Sequence, residues 1–240
     1  MPTSTKTATV STPDGQMDLF VAQPDGAGPH AGLLVIQEAF GVNDQIKSVT
    51  QRFADQGYVA VAPDLFHRFE QKVVPYNDMQ TAIGSIMKLG DDLVTADVNA
   101  ALGYLKSQPN VKHDKIGILG FCFGGRVAYL AATRCRDLAA AVGFYGAGIA
   151  DPRNPNAPVN NSHNIQAPVL LFFGAEDQLM PQDQVKKIEE TLAQLGKEHH
   201  IKVYPGAGHG FFREGGPSFN KEAADDAWSI TLSFLDNHLS

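Results

Sequence analysis

The feature that most constrains the fold is a tight, glycine-flanked turn in the middle of the chain. Residues 116–119 form an apolar run typical of a buried strand, residues 120–125 read GFCFGG, and a helical pattern covers residues 126–134. A strand, a sharp turn and a helix in this order form a nucleophile elbow, with Cys122 in place of the usual serine. The alternative interpretation is a buried cysteine in a glycine-rich connection that binds a phosphate or nothing.

The pattern along the chain predicts one α/β domain over residues 1–240. Residues 8–11 and 17–22 flank a Pro-Asp-Gly turn, which indicates an antiparallel hairpin. Further strands are predicted at 31–37, 58–62, 116–119, 139–145, 168–173 and 200–204. Helices are predicted at 44–54, 78–107 with a break near Gly90, 126–134, 182–195 and 221–238, and long loops at 65–77 and 146–166. Strands that alternate with helices indicate a mainly parallel sheet with helices on both faces.

Two more candidate residues follow the ends of predicted strands. Asp177 comes after the strand at 168–173, and His209 lies in residues 206–211 (GAGHGF), after the last strand. The carboxyl ends of parallel strands are where α/β sheets bind ligands, and the chain order nucleophile, acid, base is that of α/β-hydrolases. Glu176 competes with Asp177, since either could be a surface carboxylate or a helix cap, but the G-x-x-D spacing favours Asp177.

Composition excludes several other classes of protein. A formal charge of −7 and a pI near 5.5 argue against nucleic acid or an anionic membrane as partner. No apolar run is long enough to cross a membrane, and residues 1–16 lack the apolar segment of a secretory signal. Two cysteines do not make a disulfide framework, so a cytoplasmic setting is expected. No histidine pair has the spacing and acidic partner of a zinc helix, so we expect no metal. No cofactor is expected either.

Five stretches of the chain share a pattern with one family of α/β-hydrolases. They are residues 37–41 (QEAFG), residues 62–65 (APDL), the elbow at 120–125, Asp177 in its strand-end loop, and residues 209–213 (HGFFR). Over nearly its full length the chain resembles the dienelactone hydrolases (carboxymethylenebutenolidases). A cysteine elbow combined with a glutamate after the first buried strand is quite specific to that family.

The resemblance implies a catalytic triad made of Cys122, His209 and Asp177. Glu38 would contact the resting thiol and help to generate the thiolate, because only the thiolate is a competent nucleophile. The alternative for Glu38 is an ion pair that closes the pocket. Arg213 would bind the substrate carboxylate and pair with the glutamate, unless it is an ordinary surface arginine. Tyr145, at the end of its strand, would line the pocket.

The reaction implied is cleavage of a small-molecule ester or lactone through a thioester acyl-enzyme. The backbone N–H groups of Phe123 and Ala39 would hold the oxyanion. Asp177 would orient His209, which would protonate the leaving group and then activate water. No nucleic acid or membrane partner is expected, and the chain would be a monomer or a homodimer.

The chain departs from the family at one position. The family uses a second arginine after the Pro-Asp strand end, but residues 70–106 contain no arginine. Arg68 and Lys72 are close in sequence, although their positions are not equivalent. Acceptance of a dianionic dienelactone therefore stays open, whereas an uncharged or monoanionic ester or lactone is compatible with the sequence.

Three other interpretations compete with this one. The same triad could serve a general carboxylesterase or thioesterase, and the fold could belong to a binding protein without catalysis. A redox pair of Cys122 and Cys135 would have to span a predicted helix, roughly 15–20 Å, which is too far for a disulfide. Cys135 is expected to be a small buried apolar residue.

Overall fold

The computed structural model describes residues 2–26 and 28–240, and its elements follow the predicted α/β order. The strands are β1 (Thr3–Thr12), β2 (Gly15–Pro24), β3 (His30–Ile36), β4 (Val59–Pro63), β5 (Val111–Phe121), β6 (Ala140–Phe144), β7 (Val169–Gly174) and β8 (His199–Tyr204). The helices are α1 (Asp44–Asp55), α2 (Met79–Lys88), α3 (Asp91–Ser107), α4 (Phe123–Arg134), α5 (Gln182–Gln194) and α6 (Lys221–Leu239), with a 3-10 helix at Pro158–Asn164.

The chain divides into two compact units, Met1–Ile118 and Leu119–Ser240. The single domain expected over residues 1–240 therefore stays a prediction. Among the described helices, none is both long enough and apolar enough to cross a membrane.

The first unit is built on the predicted hairpin. β1 pairs with β2 in antiparallel register, β2 pairs with β4 in the same sense, and β3 runs parallel to β4. Helices α1 and α3 pack against these strands. Helix α1 begins where the sequence predicts, because the side chain of Asn43 accepts a hydrogen bond from the N–H of Ile46 at 3.2 Å. The buried side chains of Ile46, Val49 and Phe53 form the stripe that anchors α1.

The second unit carries three parallel strands in the order β6, β7, β8. All residues of β6 and β7 are buried, which explains their continuous apolar sequences. Helices α4 and α6 pack against β6, and α5 packs against β8. Because parallel strands end at the same edge, the loops after β7 and β8 lie side by side, with Gly174 in register with Tyr204.

Several predicted boundaries are wrong. The strand at 116–119 extends over Val111–Phe121, because a polar stretch at 112–115 hides its first half. The loop at 146–166 contains the 3-10 helix Pro158–Asn164. The strand predicted to reach Tyr145 ends at Phe144, and Tyr145 itself has a φ of 40°, which interrupts extended structure.

The helical break near Gly90 is confirmed, since Gly90 caps the start of α3.

Candidate active site

Cys122 occupies the sharp turn between β5 and α4, in a backbone conformation that few residues adopt. Its φ is 53°, in the left-handed region, and its N–H donates to the carbonyl oxygen of Phe144 at 3.0 Å. The turn is so tight that a Cβ on Gly120 would collide with the carbonyl oxygen of Gly124. The side chain of Cys122 is half-buried and its thiol is free. This is the geometry that the glycine spacing predicts for an elbow.

Asp177 lies in the loop after β7, fully shielded from solvent. One carboxylate oxygen, Oδ1, accepts hydrogen bonds from the N–H groups of Leu179 (2.8 Å) and Met180 (3.2 Å). The other, Oδ2, lies 2.8 Å from Nδ1 of His209. The competing carboxylate of Glu176 is exposed. Asp177 is therefore the acid that faces the histidine, and its own loop holds it in place.

His209 lies between the acid and the thiol. Its Nδ1 contacts Asp177, and its Nε2 lies 3.0 Å from Sγ of Cys122. The loop that carries His209 approaches β7 closely, since a Cβ on Gly174 would collide with the carbonyl oxygen of Ala207. The three residues that the sequence predicts as a triad thus form one continuous chain of hydrogen bonds.

The charges and hydrogen bonds around His209 favour the protonated form of its imidazole. Burial lowers the pKa of His209, but the hydrogen bonds and negative charges of Asp177 and Cys122 outweigh burial and raise it from its usual 6.5 to about 10. The side chain of His209 is 21% exposed and that of Asp177 is 0% exposed, so solvent screens the pair little. An imidazolium beside sulfur is the environment that stabilises a reactive thiolate.

Tyr145 supports the imidazole rather than presenting a surface to solvent. The residue is 1% exposed, and its ring meets the His209 ring edge to face with centroids 5.1 Å apart. It also meets the ring of Phe211 at 5.3 Å, and its N–H donates to the carbonyl oxygen of Phe172. The sequence does not predict this support, because it depends on the positive φ of Tyr145 just beyond the end of β6. Whether substrate touches Tyr145 stays a prediction.

The other predicted site residues lie as follows. Phe123 is the first residue of α4, where backbone N–H groups have no partner within the helix. Arg213 is half-buried in the turn after His209. Glu38 and Ala39 belong to the first unit, where both are buried in the segment that follows β3, after Gln37. The roles expected of these four residues stay predictions.

The two cations near the predicted second-arginine segment are already paired. Arg68 donates from Nε to Asp14 at 2.7 Å and from Nη2 to Asp97 at 2.9 Å. The Nζ of Lys72 lies 3.4 Å from Asp18. Neither side chain is therefore arranged as a dedicated substrate cation, in agreement with the non-equivalence of their positions in the sequence.

Asp14, His67 and Asp97 are the one described group whose donor atoms lie close enough together, within 4.8 Å, to suggest a metal site. The guanidinium of Arg68 pairs with both carboxylates, and Nε2 of His67 lies 3.3 Å from Asp97. The guanidinium of Arg68 therefore neutralises the carboxylates of this cluster, which forms an ion-pair network. The absence of a metal stays a prediction.

Comparison with known proteins places the chain in a superfamily and then in a family. The fold is the α/β-hydrolase fold, since a solved candidate dienelactone hydrolase from Klebsiella pneumoniae superimposes with a TM-score of 0.91 at 30% identity, over 98% of this chain and 99% of that one. The model of the dienelactone hydrolase family matches residues 17–239. The chain belongs to this family, and it is a hydrolase of ester or lactone bonds.

Two relatives show how close the match is. A candidate carboxymethylenebutenolidase of Synechocystis sp. is 38% identical over 98% of both chains. A candidate 2-oxo-3-(5-oxofuran-2-ylidene)propanoate lactonase of Bradyrhizobium sp. is 33% identical over 92% of this chain and 89% of its own length. The fold class and the family that the sequence predicts are confirmed.

Proposed function

We propose that this chain hydrolyses a small enol lactone or ester by nucleophilic attack from the Cys122 thiolate. The observation that carries the proposal is the unbroken contact from Asp177 through His209 to Sγ, with distances of 2.8 and 3.0 Å. A nucleophile in hydrogen-bond reach of a base, which a third group orients, is the general arrangement of covalent catalysis.

In the acylation step the thiolate adds to the carbonyl carbon of the substrate. The free N–H of Phe123, at the positive end of α4, faces the developing negative charge on the carbonyl oxygen. The tetrahedral intermediate collapses with cleavage of the C–O bond, and the imidazolium of His209 gives its Nε2 proton to the leaving oxygen. The products are a thioester on Cys122 and a neutral imidazole.

In the deacylation step the neutral imidazole of His209 takes a proton from water. The hydroxide adds to the thioester carbonyl, and collapse expels the Cys122 thiolate and releases the acid. Imidazolium and thiolate are thereby restored. When the substrate is a lactone, the leaving oxygen stays tethered to the acyl-enzyme and could attack the thioester to re-form the ring. If that oxygen belongs to an enol, tautomerisation to the ketone removes this nucleophile and prevents reclosure.

The proposed substrate class is a lactone that carries one carboxylate, by analogy with the substrates in the relatives' names. A carboxymethylenebutenolide and an oxofuranylidene propanoate each combine one lactone with one carboxyl group. Neither is dianionic, which removes the main reason to expect a second arginine. One cation suffices for one carboxylate, and Arg213, four residues after His209, is the proposed partner. Arg68 stays with its two aspartates.

Kinetics with a substrate panel test the proposal. We expect kcat/KM for a dienelactone to exceed that for p-nitrophenyl acetate by about two orders of magnitude, because the carboxylate adds binding energy at Arg213. Arg213→Gln should lower kcat/KM for the dienelactone and leave kcat/KM for p-nitrophenyl acetate little changed. Equal rates on both substrates would instead favour a general carboxylesterase or thioesterase on the same residues.

Intact-mass analysis tests the nucleophile. Wild type quenched during turnover should carry an acyl adduct, and Cys122→Ala should carry none and hydrolyse nothing above background. Cys135→Ser is the matched control, because that thiol is buried at the other end of α4. Unchanged hydrolysis by Cys122→Ala would exclude the mechanism. A cytoplasmic setting, where such a thiol stays reduced, belongs to the same proposal.

A further inference from the structure

We propose that the cavity at the C-terminal end of α4 binds a small polyanion, such as a pyrophosphate-containing or multiply carboxylated metabolite. The cavity has a volume of about 530 Å³ and lies between the end of α4, the 3-10 helix and Lys197 in the short connection from α5 to β8. Its charged side chains are those of Arg134, Arg136 and Lys197, with the imidazole of His163 beside them.

The charge of this cavity is unusual for the chain. None of the described residues that line it carries a carboxylate, although the chain has 26 acidic and 19 basic residues. Asp137 does not line the cavity, but its negative charge acts on Cys135, which does, and there opposes the charge of Arg134. The cations on which the site depends are therefore Lys197 and Arg136. A chain with a formal charge of −7 repels polyanions on average, so a local concentration of cations is where one would bind.

Lys197 supplies a cation that is held in place before any ligand arrives. Its Nζ donates to the carbonyl oxygens of His163 at 2.9 Å and Ile165 at 2.6 Å. Both acceptors are neutral, so they fix the ammonium group without cancelling its charge. The third N–H of the ammonium group remains for a ligand oxygen.

Arg136 supplies a second cation, which is exposed. Within the described chain its guanidinium has no ion pair, and it can therefore meet an oxyanion with two parallel N–H donors. The amides of Asn164 and Gln166 add neutral donors to the wall. The hydroxyl of Thr133 is not available, because it donates to the carbonyl oxygen of Leu130.

The cavity is large enough for a small molecule and lies far from the triad. A volume of about 530 Å³ falls in the usual range for small-molecule sites and exceeds what one phosphate fills. The cavity adjoins Cys135, which caps the end of α4 opposite to Cys122, and a helix of 12 residues is about 18 Å long. The site is thus separate from the triad, and the proposal does not depend on the proposed reaction.

Isothermal titration of the full chain with sodium pyrophosphate, and separately with citrate, tests the site. At low ionic strength we expect saturable binding of one pyrophosphate per chain, weakened about tenfold by Arg136→Gln through loss of a charge-assisted contact. Arg136 is exposed, so this variant should fold as wild type does. Lys197→Met should weaken binding at least as much.

Lys221→Gln is the matched control, since it removes one exposed cation that lies outside the cavity. It should leave the affinity for pyrophosphate unchanged. Two results would overturn the proposal. One is no saturable heat with either anion up to about 10 mM, a concentration at which even weak sites fill. The other is an equal loss in Arg136→Gln and Lys221→Gln, which would mean that only net charge matters.

Discussion

Replacing Asp177 by asparagine isolates the effect of the carboxylate on the histidine. Oδ1 of Asp177 accepts two backbone hydrogen bonds, from Leu179 and Met180, and Oδ2 faces Nδ1 of His209. In Asp177→Asn the side-chain oxygen has to stay with the two backbone donors, because an amide nitrogen cannot accept from them. The NH₂ group therefore faces Nδ1 and donates to it, which moves the imidazole proton to Nε2.

The expected loss of activity follows from this exchange of donor and acceptor. With a proton on Nε2, the imidazole cannot receive the thiol proton of Cys122, and the carboxylate that helps to raise the pKa of His209 to about 10 is gone. In serine-protease triads the same substitution lowers kcat by about 10⁴. A thiol depends less on its base, since a few per cent is ionised at neutral pH. We therefore expect kcat/KM to fall by about 10² to 10⁴, or roughly 3–5 kcal/mol.

The assay is the initial rate of p-nitrophenyl ester hydrolysis from pH 6 to 9, and Glu176→Gln is the control. Glu176 is the adjacent carboxylate, exposed and away from the imidazole, so its loss should leave the rate unchanged. Glu176→Gln should melt near the wild-type temperature. Asp177→Asn should still fold, because it keeps the two backbone hydrogen bonds, but it should melt lower since it loses the charge that raises the pKa of His209. An Asp177→Asn rate within about threefold of wild type, or an equal loss in Glu176→Gln, would refute the reasoning.

Three further predictions follow from the same geometry. The pKa of His209 is raised from 6.5 to about 10, so the stability that its protonation contributes should be full below pH 6.5 and lost as the pH rises towards 10. In urea unfolding, the free energy of unfolding of wild type should decline over this range, and that of His209→Gln should lack this decline. Iodoacetamide should modify Cys122 and spare Cys135, because burial raises the pKa of Cys135 to about 11; one adduct by mass spectrometry, abolished in Cys122→Ser, is expected. Gly174→Ala should lower the free energy of unfolding by about 1–3 kcal/mol through a backbone collision, whereas Gly84→Ala, in open space on α2, should stabilise by up to about 1 kcal/mol.

Features with a short-range signal in the chain were predictable. The elbow at Cys122 requires glycines at fixed offsets, and buried parallel strands such as β7 appear as continuous apolar runs. The position of Asp177 and His209 just after strands was enough to predict that they meet, because parallel strands end at one edge of a sheet. Their distances support this grouping, and their catalytic roles stay predictions.

Features that depend on contacts distant in sequence were not predictable. Nothing near Arg68 indicates that it pairs with Asp14 and Asp97, which lie 54 and 29 positions away. The support of His209 by Tyr145 depends on a left-handed φ, and tyrosine seldom adopts one. The sequence of the 3-10 helix, PVNNSHN, has no helical periodicity, so it does not predict a helix. Packing against α4 and α5 holds this segment in place.

Helix α4 has a cysteine at each end, and this has a consequence for the protein under oxidative stress. Cys122 stands at the positive end of the helix dipole, where a sulfur anion is stabilised, whereas Cys135 is shielded at the negative end. Peroxide should therefore attack Cys122 first and form a sulfenic acid. The other cysteine is roughly 18 Å away and cannot resolve it as a disulfide. Recovery then requires an external thiol, so the redox state of the surroundings controls how long the hydrolase stays active.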